Sequence, residues 1–290
     1  MTRFEFKVPA TSANLGLGFD SIGLALSKFL YISSVKNDVF KVINLIETTE
    51  EIPTDTSNLI LKTAIEAARL YDKKMPAIEV TTKNEIPLSR GLGSSSSAVV
   101  AGIELANYYC KLNLSDFDKI TIGSKIEGHP DNIGPCVTGG LFIGSYVDHK
   151  LHYYASSYHN FSYIVSIPRY TVKTSDARKV LPLQYSKKDA VEQGALSNVL
   201  VLALIKGDKE TIRDIIMSDR FHEKYRSHLI PEFAEVRETA LGMDAIGTVI
   251  SGAGSTILTI VDKSNVQTVL EKLKKSINCD HEEIFVYNRD

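Results

Sequence analysis

Phe4, Phe6 and Val8 alternate with Glu5 and Lys7, a two-residue period that predicts a strand at the start of the chain. A helical period follows later. Across residues 58–71, Leu59, Ala64, Ile65 and Ala68 fall on one helical face, and Asn58 stands where an N-cap belongs. Residues 78–82 read as a short strand, and residues 94–109, rich in small and apolar side chains, as a buried helix. Two more strands are predicted over 141–147 and 163–167, the second closed by Pro168. Helices are predicted over 189–205, 209–217, 233–241 and 265–276. Residues 248–250 and 257–260 predict two strands around a glycine-rich loop. Both halves mix strands and helices without a strict alternation, so the expected class is α+β rather than doubly wound α/β. The polar segment 149–160 lacks periodicity and reads as a linker or a hairpin. The expected domain boundary falls there, giving residues 1–155 and 156–290.

Composition narrows the function classes. The chain has 290 residues, 43% hydrophobic and 23% charged, the profile of a globular protein with a sizeable core. Its 33 Lys and Arg against 35 Asp and Glu give a net charge of −2, so no basic excess points to nucleic acid or an anionic membrane. Three widely spaced cysteines, Cys110, Cys136 and Cys279, argue against a disulfide scaffold and lack the CxxC spacing of structural zinc. Charges interrupt the first residues, so no secretory signal is expected, and no apolar run approaches the roughly 18 residues of a membrane span. A cytoplasmic protein is expected. There is no internal repeat and no low-complexity tract.

The segment richest in chemistry is Pro87-Leu88-Ser89-Arg90-Gly91-Leu92-Gly93-Ser94-Ser95-Ser96-Ser97-Ala98, between a predicted strand and a predicted helix. Gly91 and Gly93 allow sharp turns and a close approach of backbone to ligand. The serines add hydroxyl donors. The helix that follows aims free N–H groups and about half a unit of positive charge at the same place. This is the physics of an anion site, most naturally for a polyphosphate. A flexible Gly/Ser linker is the bland alternative, and linkers are not wedged between a strand and an apolar helix. The segment lacks the Gly-Lys-Ser/Thr ending of a Walker loop and the GxGxxG of a dinucleotide fold.

Pro87 to Ser95 resembles the second motif of the superfamily joining galactokinase, homoserine kinase, mevalonate kinase and phosphomevalonate kinase (GHMP). Two further stretches resemble the homoserine kinase family within it, Val8-Pro9-Ala10-Thr11-Ser12-Ala13-Asn14-Leu15-Gly16-Leu17-Gly18-Phe19-Asp20 and Glu127-Gly128-His129-Pro130-Asp131-Asn132 with Gly139-Gly140, and Ser251-Gly252-Ala253-Gly254-Ser255-Thr256 resembles the C-terminal glycine loop of the superfamily. Together they span residues 8 to 256. The resemblance implies an N-terminal ribosomal-S5-like domain, a C-terminal ferredoxin-like α/β sandwich, and a ligand cleft between them. It implies ATP-dependent phosphorylation of L-homoserine to O-phospho-L-homoserine, a step of threonine biosynthesis. Another acceptor on the same fold, such as mevalonate, shikimate or a sugar, and a non-catalytic ligand-binding protein are the competing readings. The resemblance leaves room for a homodimer and marks no dimer surface.

An amino-acid substrate presents an ammonium, a carboxylate and a hydroxyl. With the resemblance, Asp20 is the candidate for the ammonium and Asn14 for a hydrogen bond to substrate, although both residue types also serve ordinary turns. Gly16 and Gly18 are expected to bend this loop around the ligand. Arg178 and Arg226 are the candidates for the carboxylate, because a guanidinium fork matches it bidentately. His129 is a candidate substrate contact. Asp131, Asn132 and Arg178 are the candidate catalytic side chains, with transfer expected to run on alignment, Mg²⁺ and the helix N-terminus and without a dedicated base. Glu127 is the expected Mg²⁺ carboxylate, and Ser97 the expected hydroxyl among Ser94 to Ser97. The Ser251–Thr256 loop is expected to touch phosphate or to brace the site. Two departures stand out: Leu17 and Ser255 occupy positions where many homoserine kinases carry proline. Each loosens a loop by about 0.4–1 kcal/mol and removes no reacting group.

Overall fold

The computed structural model describes residues 2–46 and 51–289. Its larger sheet is built on one long strand. β1 (Phe4–Asn14) lies antiparallel to β2 (Gly18–Lys36), from Phe4 opposite Ser34 to Asn14 opposite Gly18. Along the chain come β3 (Lys41–Asn44), α1 (Leu59–Arg69), β4 (Ile78–Asn84), α2 (Ser94–Cys110), α3 (Asp116–Glu127), α4 (Ile133–Thr138), β5 (Leu141–Val147) and β6 (Lys150–Ser156). The strand order is β3-β4-β2-β5-β6, with β1 also on β2, and the β3–β4 pair is parallel. The second half begins with β7 (Ser162–Ile167), then α5 (Thr174–Lys179), α6 (Lys187–Lys206), α7 (Lys209–Ile215), α8 (Glu223–Arg226), α9 (Phe233–Leu241), β8 (Gly247–Ile250), β9 (Ile257–Val261), α10 (Val266–Ser276) and β10 (Asp280–Ile284). Its four antiparallel strands run β10-β7-β9-β8, the 4-1-3-2 order of a ferredoxin-like sandwich.

Local chemistry explains most boundaries. Asn58 caps α1, its side chain accepting from the Ile60 N–H. Ser115 and Asp118 form a reciprocal capping box at the start of α3. α2 presses closely on α1, because a Cβ at Gly102 would stand 2.5 Å from the Ile60 carbonyl oxygen. The predicted strands and helices are present. The polar segment 149–160 is largely a hairpin arm: Asp148 and His149, both at positive φ, turn β5 into β6.

Other elements carry no readable period. β2 is buried on both faces over Ile22 to Leu26, so apolar residues run on instead of alternating. α5 and α8 are short, and β10 (Asp-His-Glu-Glu-Ile) is polar. After β10 the chain returns to the larger sheet. The Tyr287 N–H donates to the Ala25 carbonyl at 3.0 Å, the Gly140 N–H donates to the Tyr287 carbonyl at 2.8 Å, and Arg289 pairs with Asp116. No described helix is long and apolar enough to cross a membrane.

One contact ties the sheet to the site. A Cβ on Gly23, in β2, would stand 1.8 Å from the Asp131 carbonyl oxygen and 2.8 Å from Pro135 Cγ. Gly23→Ala is therefore expected to destabilise the fold by about 1–3 kcal/mol through overpacking and to lower turnover by displacing Asp131. Thermal melts alongside initial rates check this, and an unchanged melting temperature would contradict it.

Candidate active site

Three loops from distant parts of the sequence converge between the two sheets. The Ser251 hydroxyl donates to the Gly91 carbonyl at 2.5 Å and lies 2.8 Å from the Ser12 hydroxyl. The Gly252 N–H donates to the Ala13 carbonyl at 3.0 Å, and Thr256 donates to the Arg90 carbonyl. Gly91 and Gly93 both have positive φ, and the space for side chains there is already filled. A Cβ on Gly91 would meet the Ser251 carbonyl oxygen at 2.1 Å, and one on Gly93 the Thr11 hydroxyl at 1.9 Å. The Ser251–Thr256 loop thus braces the glycine-serine loop, and its Gly252, Ala253 and Gly254 also line the cavity described next. Ser255 adds a bond from its hydroxyl to the Tyr170 carbonyl at 3.0 Å, which a proline would lack.

These loops border a cavity of about 690 Å³, lined by Pro87, Leu88, Ser89, Arg90, Gly91, Leu92, Gly93, Ser94, Ser95 and Ser96. The N-terminus of α2 opens on it. Ser97 does not line it: the residue is fully buried, and its hydroxyl donates back to the Pro9 and Gly93 carbonyls at 2.9 and 3.0 Å. The expectation that Ser97 faces a metal is corrected on that ground. One helical step turns Ser96 the other way, and its hydroxyl donates to Glu127 Oε2 at 2.6 Å. Burial pushes the Glu127 carboxyl up from its ordinary range, and hydrogen bonds from Ser96 and Ser95 pull it back in part. No cation pairs with Glu127 among the described residues. A half-buried carboxylate beside a hydroxyl at a phosphate-type helix end suits a hard divalent ion.

His129 and Asp131 form a close Nδ1–Oδ1 pair, with Asp131 buried. Burial pulls the imidazole down, but the Asp131 hydrogen bond and the charges of Asp131 and Asp20 outweigh it, so its pKa is raised. Asn132 accepts from the Thr11 hydroxyl at 2.8 Å through Oδ1, which leaves its NH₂ edge at the cavity without a partner among the described residues.

The amino-acid candidates also meet here. Asp20 and Arg178 form a bidentate ion pair at 2.8 and 3.2 Å, with side chains 34% and 39% exposed. Asn14 is committed to loop geometry: its NH₂ donates to the Gly252 carbonyl at 2.9 Å, and its oxygen accepts from the Asp20 N–H at 3.0 Å. It holds the backbone of Asp20 and also lines the cavity, so it stays a candidate for a substrate contact. Gly16 and Gly18 serve packing rather than bending around a ligand. A Cβ on Gly16 would stand 2.3 Å from the Ile216 carbonyl oxygen, and one on Gly18 2.2 Å from Ile22. Leu17, in the proline position, is a core residue.

Arg226 is 2% exposed yet lines the cavity. Nε donates to the Ala177 carbonyl at 3.0 Å and Nη1 to the Gly252 carbonyl at 3.1 Å. No carboxylate pairs with it among the described residues. Burial, then the charge of Arg178, lowers its pKa. Phe19 sits under both guanidiniums, 5.2 Å from Arg226 and 5.8 Å from Arg178. His222 stacks on the same ring, and its Nε2–H donates to the Gly16 carbonyl at 2.9 Å, so its Nδ1 lone pair faces Arg226 at 3.5 Å. Phe19 and His222 escaped the sequence reading, although the i, i+4 spacing of His222 and Arg226 was a usable signal. Lys173 and Thr174, at the head of the segment that carries Arg178, also line the cavity.

A two-layer ferredoxin-like half, a β-rich half and a glycine-serine helix end between them define a small-molecule kinase of the GHMP type. The family models agree: GHMP kinases N terminal domain matches residues 58–140, and GHMP kinases C terminal matches residues 200–279. The chain is 40% identical over 290 residues to a homoserine kinase of Staphylococcus haemolyticus, covering 99% of this chain and 95% of that one. It is 43% identical over 265 residues to one of Streptococcus mutans, covering 91% and 90%. A solved structure titled as a putative homoserine kinase from Listeria monocytogenes superposes with a TM-score of 0.83 at 33% identity, covering 98% and 96% of the two chains. This chain belongs to the homoserine kinase family. A Methanococcus jannaschii mevalonate kinase at 15% identity, TM-score 0.73, shares the fold.

A buried acid with a raised folded pKa contributes stability below its unfolded pKa and loses it as pH rises through the folded value. Glu127→Gln is therefore expected to melt higher than wild type at neutral pH without metal, with the difference vanishing below about pH 4. It should also abolish any melting shift caused by Mg²⁺; a lower melting point at pH 7 would refute the assignment. Ser96→Ala is expected to weaken Mg²⁺ dependence and to raise the Glu127 carboxyl further, because it removes the main hydrogen bond that favours the charged form. Ser97→Ala should cost about 1–3 kcal/mol by stripping the buried Pro9 carbonyl of a donor, while the apparent Mg²⁺ affinity stays put. Denaturant melts and Mg²⁺ titrations of both variants separate the two roles.

Proposed function

We propose that the chain transfers the terminal phosphoryl group of ATP to the side-chain hydroxyl of L-homoserine, giving ADP and O-phospho-L-homoserine in threonine biosynthesis. The observation that carries the reading is the unpaired Arg226 cation beside the Asp20–Arg178 pair, in the same cavity as the α2 N-terminus. The cavity offers both signs of charge to a zwitterion and a helix end to a polyphosphate. The part lined by Asn58, Leu59, Thr82 and Asn84 gives room for the nucleoside.

Mg²⁺ fits Glu127 and Ser96, and when bound it supplies neutralisation of phosphate charge. The remaining work belongs to side chains of this protein. Arg226 and Arg178 take the substrate carboxylate, and Asp20, held by Asn14, takes the ammonium. The free NH₂ edge of Asn132 orients the hydroxyl. The α2 N–H groups stabilise charge on the phosphate as the bond to the leaving group breaks. Asp131 is engaged by His129, which supports transfer by alignment without a dedicated base.

The proposed functional units divide near residue 155, because the strands of the larger sheet end at Ser156 and those of the smaller begin at Ser162. Three unpaired cysteines support a cytoplasmic setting. A homodimer is proposed on family resemblance.

The test is ADP release with Mg-ATP and L-homoserine, mevalonate, shikimate, galactose or no acceptor. Turnover confined to L-homoserine is expected, and turnover confined to another acceptor would overturn the reading. Arg226→Met is expected to lose about 2–5 kcal/mol of L-homoserine binding, seen as a raised KM for that substrate with the KM for ATP nearly unchanged.

A further inference from the structure

α6 has two unlike faces. Inward, Gln193, Leu200, Ala203 and Leu204 are buried, and the Gln193 side-chain amide donates to the Leu17 carbonyl at 2.9 Å and to Asp219 at 3.0 Å, which fixes the rotation of the helix. Outward, Val191, Val199, Leu202 and Ile205 are each 48% exposed or more. Single exposed apolar side chains are ordinary, but a stripe of them along one helix is not. We propose that this outer face of α6 is the surface on which two copies of the chain pair, with the two helices antiparallel about a two-fold axis at Asn198. The proposal rests on the homodimer reading above and gives it a surface.

The stripe has the form of a seam. Val191, Ala195, Asn198, Leu202 and Ile205 follow one another at alternating steps of four and three residues, the spacing of helices that pack knobs into holes. Asn198 lies midway between Val191 and Ile205. A second copy turned about Asn198 therefore sets Val191 against the partner's Ile205, and Gly194 with Ala195 against the partner's Leu202. Large side chains meet small ones, and the match occurs twice, as an isologous contact requires. Gly194 supports the pairing independently. A glycine inside a helix weakens it, and a Cβ at this position would meet nothing within 4 Å in its own chain. Packing within the subunit gives no reason for the missing side chain, whereas a hole for the partner's Leu202 does. The charges agree. Lys206, at the C-terminal end of α6, forms no ion pair among the described residues, and the same pairing brings it to the partner's Glu192. The Asn198 amide is exposed on this face, and at the axis it meets its own copy, where an amide can both donate and accept. A membrane surface fits less well, because no Lys or Arg lies between Lys188 and Lys206 to meet anionic headgroups. The helix has 20 residues and is about 30 Å long. Its contact is at the small end of specific interfaces, so the dimer is reversible and concentration-dependent.

Sedimentation of the full chain over a range of concentrations tests this. The wild type is expected to move from 32.0 kDa toward twice that mass as concentration rises. Leu202→Glu and Gly194→Gln are expected to stay at the mass of one chain. Gly194→Gln places a better helix former at an open position, so it should melt no lower than wild type in dilute solution while losing the dimer. Asn198→Cys is expected to cross-link to its own copy under mild oxidation, and the wild type, whose three cysteines lie outside α6, is not. A dimer that survives both Leu202→Glu and Gly194→Gln would overturn this surface and leave the homodimer reading standing. A dimerising chain in which Asn198→Cys fails to cross-link would overturn the axis. A wild type that stays at 32.0 kDa at every concentration, whether or not it binds phosphatidylserine vesicles, would overturn both the surface and the homodimer.

Discussion

A guanidinium kept away from water without a carboxylate beside it is the constraint around which this molecule is arranged. Burying an unpaired charge is costly, and proteins tolerate it where neutral dipoles substitute for solvent. Arg226 is given the Ala177 and Gly252 carbonyls, the lone pair of His222 and the face of Phe19. Each comes from a different segment. The ferredoxin-like half provides α5, the N-cap of α8 and the loop after β8, and the larger sheet provides the start of β2. The cation therefore serves as a joint between the two halves as well as a binding group. Beneath it, Glu223 accepts from the Ile250 N–H at 2.6 Å and pairs with Arg237 at 2.7 Å, which fixes α8 against β8.

The Gly252 carbonyl shows how tightly the joint is made. It accepts from Asn14 and from Arg226, so a single backbone oxygen sets both the residue that fixes the Asp20 backbone and the buried cation. The glycines of the phosphate loop act in the same way. Gly91 and Gly93 are required where backbone meets Ser251 and Thr11, because a side chain would push the loops apart. Close approach between protein segments, more than close approach to a ligand, is what these glycines supply in the free protein.

Electrostatically the cavity is unsettled by design of its parts. Glu127 is raised by burial, Arg226 is lowered by burial, and His129 is raised by its acidic neighbours. Such opposed perturbations within one cavity are costly to the fold and are the pattern of a site built to bind charged ligands. Charges that find no partner in the protein are ready for partners that arrive.

The sequence by itself determined the local elements and the chemistry. Alternation at Phe4–Val8, the capped period from Asn58, and the glycine-serine run before a small-residue helix are one-dimensional signals, since the interactions behind them lie within a few residues. The motifs and the family they resemble brought Asp20, Arg178, Arg226, His129 and Glu127 forward as candidates before any geometry, and the structure lines one cavity with all five. Tertiary structure alone decided the rest. Which serine faces Glu127 depends on the rotation of α2 against the larger sheet, which turns Ser97 toward the Pro9 carbonyl and Ser96 toward the cavity. The commitment of Asn14 and the stacking of His222 on Phe19 arise between residues some 200 positions apart, where no local period exists to report them. β2 was hidden because burial on both faces erases alternation, and the return of the C-terminal residues to the larger sheet because backbone hydrogen bonds leave no mark on side-chain pattern.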